Sequence, residues 1–207
     1  MRPFSRRLLL ATAVLPVHRA LAAGLAATPV QTEGPFYPVA FPADSDNDLV
    51  QVRGQAAHAM GTILHLQGRV LDASGKPLSG AQVEIWQCDA QGIYDHPGQP
   101  GRERRDSAFQ GYGRMLTDVQ SAYIFRTLKP VAYPGRTPHI HLKVATLDGR
   151  RLTTQFYLAG DPQNERDVVY RGALRDAGSR ERIEMQLDPA NGLEAGAFAA
   201  SMDIVIA

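Results

Sequence analysis

The stretch LHLQGRVLDASGKPLSGAQVEIWQC, residues 64–88, decides the expected fold. In its first seven residues, small or apolar side chains occupy alternate positions: Leu64, Leu66, Gly68 and Val70. The positions between them hold the polar residues His65, Gln67 and Arg69. A period of two indicates a half-buried β-strand. Segment 72–80 has the Gly and Pro content of a turn, so AQVEIWQC at 81–88 is expected to be a second strand.

Similar short segments follow along the rest of the chain. The further candidate strands are GRMLTD (113–118), AYIFRTL (122–128), HIHLKVATL (139–147), LTTQFYL (152–158), RIEMQL (182–187) and MDIVIA (202–207). The first two of these are expected to pair as a hairpin, and DPQNERDVVYRGAL (161–174) has room for a turn or two of helix. Seven or eight short strands separated by turns predict an all-β sandwich or barrel. We expect one domain from about Thr28 to Ala207.

Composition limits the classes of partner. The 207 residues are 44% hydrophobic and 21% charged, and the net charge is +1. This near balance gives no overall attraction to nucleic acid or to an anionic membrane. Cys88 is the single cysteine, which excludes an intrachain disulfide and a zinc site built from several thiolates. It lies in an apolar run and is expected to be buried.

The first residues have the plan of an export signal. A basic start is followed by the apolar stretch Leu8–Val17 and by the small residues Ala20–Ala23. The apolar stretch is too short to span a bilayer. SRRLLL at 5–10 resembles a twin-arginine signal, and an ordinary secretory signal is the alternative. We expect a signal over residues 1–27, cleavage near Ala22 or Ala23, and a periplasmic location for the domain 28–207.

RTPHIHLKV at 136–144 contains a pair of candidate metal ligands. Residues two apart in a strand point to one side, so His139 and His141 can face the same metal ion. The alternative is that both are polar residues on the solvent-exposed face of a sheet. Tyr133 and Tyr94 could add phenolate oxygen, a hard donor that suits ferric iron together with two imidazoles. For each tyrosine alone, a core or turn position is the alternative.

Five segments together resemble one enzyme family. They are QTEGPFYP (31–38), GRVLDASGKPLSGAQVEIWQCDAQGIYDH (68–96), FQGYGRMLTD (109–118), YIFRTLKPVAYPGRTPHIHLKV (123–144) and TTQFYLAGDPQNERD (153–167). In this order they are similar to the intradiol ring-cleavage dioxygenases, and they resemble the protocatechuate 3,4-dioxygenase subunits most. The resemblance implies a single-domain β-sandwich of about eight short strands with long loops and little helix. It allows a homo-oligomer, since many relatives associate.

The resemblance also implies a site and a reaction. By motif position, the ligands of one Fe(III) per chain are Tyr94, Tyr133, His139 and His141. Tyr133 would also leave the metal to take a proton from the substrate, and Arg136 would lie over the substrate ring. Gln155 corresponds to a glutamine beside the ligands, and QTEGPFYP to a segment that lines the pocket. The implied reaction is cleavage of a catechol-type aromatic by O2 to a cis,cis-muconate-type diacid.

Two other functions stay open at this stage. GRVLDASGKPLSGAQVEIW (68–86) also resembles transthyretin-like β-sandwich modules, which bind without catalysing, and an inactive relative of the dioxygenases is the third interpretation. The family usually has Gly where this chain has Ala122, and only the short PG separates Tyr133 from Arg136. The substrate could therefore be catechol, protocatechuate, hydroxyquinol or a larger lignin- or flavonoid-derived catechol.

Overall fold

The computed structural model of the chain describes residues 24–207. The expected export signal and its cleavage site fall largely on residues 1–23, outside this range, and stay predictions. Leu25 already contacts the domain, because its backbone N–H donates to the Ala73 carbonyl at 2.7 Å. Across residues 24–207, we find no helix with the length and apolar character that crossing a membrane requires.

Residues 24–207 form ten strands and one short helix. The strands are β1 (Ile63–Asp72), β2 (Gln82–Trp86), β3 (Tyr112–Leu116), β4 (Ala122–Leu128), β5 (His139–Ala145), β6 (Arg151–Leu158), β7 (Glu184–Met185), β8 (Asp188–Pro189), β9 (Phe198–Ser201) and β10 (Ile204–Ile206). Helix α1 is Val168–Ala173, and 3-10 turns lie at Arg102–Arg104 and Asn164–Arg166. The predicted all-β class with little helix is confirmed, as is the helical stretch within 161–174.

The strands make two five-stranded sheets. In the first sheet the order is β10-β1-β9-β8, with β4 pairing with β1 on its other side, and in the second it is β3-β2-β5-β6-β7. Leu66 and Phe125 of the first sheet belong to one buried cluster with Ile85, Leu142 and Phe156 of the second. The alternation in β1 and β5 is thus explained, since one face of each strand packs into a shared apolar core.

The predicted hairpin of 113–118 with 122–128 is wrong. Strand β3 pairs with β2, while β4 pairs with β1 over seven positions from Ile63–Leu128 to Arg69–Ala122. The turn between them carries the chain from one sheet to the other. A turn signal identifies a change of direction, but the sheet that the next strand joins depends on long-range pairing. Strand β9 was not predicted, and the 182–187 strand is only two residues long.

Candidate active site

Strand register builds the site on the outer face of the second sheet. In β5, Ile140, Leu142 and Val144 point into the core, so His139 and His141 point the other way. Both histidines are nevertheless only 1% exposed. Other parts of the chain therefore cover this face, and the interpretation of the pair as solvent-exposed surface residues is wrong.

The two imidazoles face each other. Their Nε2 atoms lie 3.2 Å apart, and His139 Nδ1 lies 2.6 Å from the Thr137 carbonyl oxygen. A carbonyl only accepts hydrogen bonds, so the proton sits on Nδ1 and Nε2 of His139 keeps its lone pair. Burial, with the Arg136 charge adding, lowers the pKa of His139 to about 4. Burial and then His139 hold the pKa of His141 well below its usual range. Both rings are neutral at pH 7.

Two tyrosines complete this cluster. The Tyr133 ring centroid lies 5.5 Å from that of His139, and the Tyr94 centroid lies 5.7 Å from that of Tyr133 and 6.2 Å from that of His141. Tyr94 is fully buried, and its hydroxyl finds no hydrogen-bond partner anywhere in the described chain. Burial raises the pKa of both phenols. A nearby cation would reverse this effect by stabilising the phenolate.

The donor set fits a ferric ion. The buried phenol of Tyr94 lacks a partner, and the two imidazole nitrogens approach each other, as groups that share a ligand do. Within residues 24–207, no three His, Cys, Asp or Glu side chains could hold a metal together. The phenolic oxygens of Tyr94 and Tyr133 are the further donors that lie beside the two imidazoles. Two imidazoles with two phenolates suit Fe(III), which favours hard anionic oxygen.

Aromatic rings hold two of these groups in place. Trp86 is the register partner of His141 on β2, and their rings stack at 4.8 Å with 10° between the planes. Phe36 stacks on Tyr94 at 4.7 Å. Each ring thus restricts rotation of the group beside it, which keeps the cluster preorganised.

Segment 31–38, which the resemblance implies is a pocket-lining segment, lies against His141. A Cβ atom built on Gly34 would lie 3.2 Å from Cε1 of His141, so the backbone itself contacts the imidazole. Gln155 Nε2 donates to the Thr32 carbonyl at 2.9 Å, and the Tyr37 hydroxyl donates to Glu84 at 2.6 Å. The segment is therefore tied to the sheet at both ends.

Arg136 lies at the edge of the cluster with all three guanidinium nitrogens engaged. Its Nε donates to Asp167 Oδ2 at 2.8 Å, its Nη2 to Gln155 Oε1 at 2.6 Å, and its Nη1 to the Tyr133 hydroxyl at 3.5 Å. Gln155 is the register partner of His141 on β6. The six predicted site residues are thus brought together, with Arg136 beside the ligand cluster and not inside it.

Comparisons with known proteins show the family of this chain. A family model described as Dioxygenase matches residues 32–206. The chain is also 36% identical over 169 residues to the protocatechuate 3,4-dioxygenase beta chain of Burkholderia cepacia, an alignment that covers 78% of this chain and 71% of that one. The chain belongs to the intradiol ring-cleavage dioxygenase family. This is a family of oxidoreductases, so the non-catalytic binding module is not the class of this protein.

Other members of the family are longer or carry further domains. The catechol 1,2-dioxygenase of Acinetobacter baylyi is 33% identical over 162 residues, and the match covers 70% of this chain but 50% of that enzyme. The dioxygenase domain of a dioxygenase–carbohydrate-binding protein fusion from Streptomyces sp. SirexAA-E superimposes with a TM-score of 0.67 at 29% identity, covering 87% of this chain and 97% of that domain. The chain thus matches nearly the whole of the Streptomyces dioxygenase domain but only half of the Acinetobacter enzyme.

The structure adds residues that sequence reasoning did not identify. Asp167 is a buried carboxylate whose Oδ2 binds both Arg136 and the Thr137 N–H, and Trp86 supports His141. An Asp just before a short helical run is typical of an N-cap, and this signal was available. The ion pair of Asp167 with Arg136 could not be predicted in this way, because Arg136 lies 31 residues earlier in the chain.

Proposed function

We propose that the protein catalyses Fe(III)-dependent intradiol cleavage of a catechol-type aromatic by O2. The observation that carries this proposal is the convergence of the two buried imidazole nitrogens, 3.2 Å apart, with the phenol groups of Tyr94 and Tyr133 beside them. Family membership supports it independently, because the relatives of this chain include protocatechuate, catechol and hydroxyquinol dioxygenases.

One iron per chain would be held by Tyr94, Tyr133, His139 and His141. When bound there, Fe(III) supplies Lewis acidity toward a catecholate and redox chemistry toward O2. In the overall reaction, the bond between the two hydroxyl-bearing carbons breaks. Both atoms of O2 are incorporated, and the product is a cis,cis-muconate-type diacid.

The two tyrosines differ in exposure, and this difference supports separate roles for them. Tyr94 is 2% exposed and is covered by Phe36, whereas Tyr133 is half-buried and lies next to Arg136. A group that accepts a proton from the substrate has to reach it. We therefore propose that Tyr133, as a phenolate, accepts the proton of one catechol hydroxyl and becomes a neutral phenol, and that Tyr94 is a fixed ligand.

Arg136 supplies positive charge beside the reacting ring. Burial alone would lower its pKa, but the hydrogen bond and charge of Asp167 outweigh this, and the pKa of Arg136 lies above its usual value. The guanidinium therefore stays protonated. Its Nη1 and Nη2 face Tyr133 and Gln155, where it can stabilise negative charge that develops on the substrate.

We also propose export to the periplasm, which rests on the basic, apolar and small-residue plan of the first 23 residues. Fractionation of cells expressing the full chain, with Arg6 and Arg7 both changed to Lys in a matched variant, tests this proposal. Retention of the uncleaved, full-length protein in the cytoplasm with the native arginines would contradict export.

The iron proposal is tested by metal content, colour and turnover. We expect about one iron per chain, a red to burgundy colour from tyrosinate-to-Fe(III) charge transfer, and oxygen uptake with at least one member of a catechol panel. Tyr94→Phe and His139→Ala should lose the visible band or the iron. Tyr112→Phe is the matched control, since Tyr112 is equally buried in the same aromatic cluster but is not a proposed ligand.

Two outcomes would refute the proposal. Protein that stays colourless after ferric loading would exclude the tyrosinate site. A coloured, iron-loaded protein that consumes no oxygen with catechol, protocatechuate, hydroxyquinol or larger catechols would exclude the reaction while keeping the metal site.

A further inference from the structure

Asp167 has an unusually complete set of hydrogen bonds for a carboxylate beside an active site. Its Oδ1 accepts from the backbone N–H groups of Val169 and Tyr170, at 2.8 and 3.1 Å. Its Oδ2 accepts from the Thr137 N–H at 3.0 Å and from Arg136 Nε at 2.8 Å. Four donors fill the acceptor sites of both oxygens, so position and rotamer are fixed together.

The two oxygens serve different parts of the chain. Oδ1 caps the N-terminus of α1, as the Asp at this position is expected to do. Oδ2 binds Arg136 and the Thr137 N–H, in the short segment just before β5 and its histidines. The side chain of Asp167 is 1% exposed and that of Arg136 is 15% exposed, so solvent screens this ion pair only weakly. In residues 24–207, Asp167 is the one carboxylate at ion-pair distance from Arg136.

The hydrogen bond between Asp167 and Arg136 determines which guanidinium nitrogens of Arg136 face the site. Asp167 takes the Nε side of the guanidinium, which leaves Nη1 and Nη2 directed at Tyr133 and Gln155. A free arginine side chain has four rotatable bonds and several orientations in which these nitrogens point elsewhere. A fixed acceptor at Nε removes most of those orientations before substrate binds.

We propose that Asp167 is a positioning residue for ring cleavage, which holds the Arg136 guanidinium in its substrate-facing orientation through the Oδ2–Nε hydrogen bond. This inference rests on the proposed function. It assigns to Asp167 a role beyond capping α1, and it predicts that the cap and the positioning role can be separated.

Asp167→Asn separates the two roles. Asparagine caps helices as well as aspartate does, so its oxygen keeps the bonds to Val169 and Tyr170. The amide NH2 that replaces Oδ2 cannot accept from Arg136. Ser179→Ala is the matched control, because it removes a buried hydroxyl that accepts from the Arg175 and Asp176 N–H groups in the segment after α1, with no contact to Arg136.

The first measurement is independent of turnover. The Arg136 Nε–H resonance is identified by its loss in Arg136→Lys, and its solvent exchange is followed by NMR in protein carrying Ga(III), a diamagnetic ion of the same charge, and in metal-free protein. We expect exchange about ten- to 100-fold faster in Asp167→Asn, the factor that a hydrogen bond to a charged group is worth. Ser179→Ala should leave it unchanged. Unchanged exchange in Asp167→Asn would overturn the positioning role.

The second measurement is a double-mutant cycle on kcat with the best catechol of the panel. Asp167→Asn should lower kcat about tenfold or more while iron content and the resting visible spectrum stay as in the parent. In an Arg136→Ala background the same change should alter kcat by less than about twofold. An equal loss in both backgrounds would show a general structural effect and overturn the inference.

The two measurements distinguish failure of this inference from failure of the proposed function. If the parent protein cleaves no catechol, the proposed function is wrong, and the exchange data alone still decide whether Asp167 fixes Arg136. If the parent is active and neither exchange nor kcat responds to Asp167→Asn, the function stands and the positioning role is wrong.

Discussion

Gly34→Ala should damage the site through a single added methyl group. Gly34 has φ of +73°, and the new Cβ would lie 3.2 Å from Cε1 of His141. The left-handed backbone costs an alanine about 1–2 kcal/mol. The less flexible unfolded chain returns about 0.4–1 kcal/mol. The net loss in the free energy of unfolding is therefore about 1 kcal/mol, which leaves the protein folded.

The contact adds an effect that stability alone does not show. Carbon atoms pack best at roughly 3.5–4.0 Å. The segment or the His141 ring must therefore move by about 0.3–0.8 Å. Because a misplacement of about 1 Å can cost 100-fold in rate, a shift of half that size should lower kcat/KM about tenfold. Trp86 stacks on the His141 ring and limits how far this ring can move.

Gly196→Ala is the matched control. Gly196 has φ of +75°, and no atom of the described chain lies within 4 Å of its Cβ position. It should lose the same stability with no change in rate. Thermal unfolding, the visible spectrum of the iron-loaded protein and oxygen uptake are measured for both variants. If Gly34→Ala matched Gly196→Ala in spectrum and kcat/KM, the close approach of segment 31–38 to His141 would be wrong.

Three further predictions concern stability. Ser121, with φ of +65°, is the one residue other than glycine with positive φ in the described chain. Ser121→Gly should raise the free energy of unfolding by up to about 1 kcal/mol, measured as a higher urea midpoint. In metal-free protein, Tyr123→Phe should lower the free energy of unfolding by about 1 kcal/mol, because the buried Tyr123 hydroxyl donates to a main-chain carbonyl at 2.6 Å. Tyr94→Phe should leave the free energy of unfolding unchanged or raise it, because the Tyr94 hydroxyl has no partner in residues 24–207. Equal losses in the two variants would contradict this. A hydrogen bond from Arg126 lowers the pKa of Glu194, so the ion pair stabilises the fold above the unfolded pKa near 4.5 and loses this contribution as pH falls. Glu194→Gln should therefore make the free energy of unfolding less dependent on pH in the acid range. An unchanged pH dependence would exclude the pair as its source.

The sequence predicted the strands better than their partners. The segments 64–70, 122–128 and 152–158 all lie within observed strands, because their alternation reflects burial on one face. Pairing depends on contacts distant in sequence, and the incorrect hairpin of β3 with β4 shows this. Strand β9, with the sequence FAAS, has too little apolar alternation to be recognised.

The sequence was enough to propose the ligands of the candidate site, but not the residues that support them. His139, His141, Tyr133 and Tyr94 stand in motifs that span a few residues each, so the resemblance identified them one by one. Asp167 contacts the site through a bond to a residue 31 positions away, and its own neighbours indicate only a helix cap. A short sequence pattern can indicate the helix cap, which involves neighbouring residues, but not the bond to Arg136, which is distant in sequence.

The cluster of Tyr94, Tyr133, His139 and His141 buries polar atoms that have no hydrogen-bond partner in the described chain, which ordinarily costs stability. A buried Tyr94 hydroxyl and a buried His141 Nδ1, each without a hydrogen-bond partner in residues 24–207, are unfavourable in a metal-free chain. The cost is offset elsewhere, by the apolar face of β5 and by Phe36 and Trp86, which pack against the rings. A cation of suitable charge removes this cost for Tyr94, because it turns the phenolic oxygen into a ligand. The same burial that makes these groups poor contributors to folding therefore makes them strong candidates for binding iron.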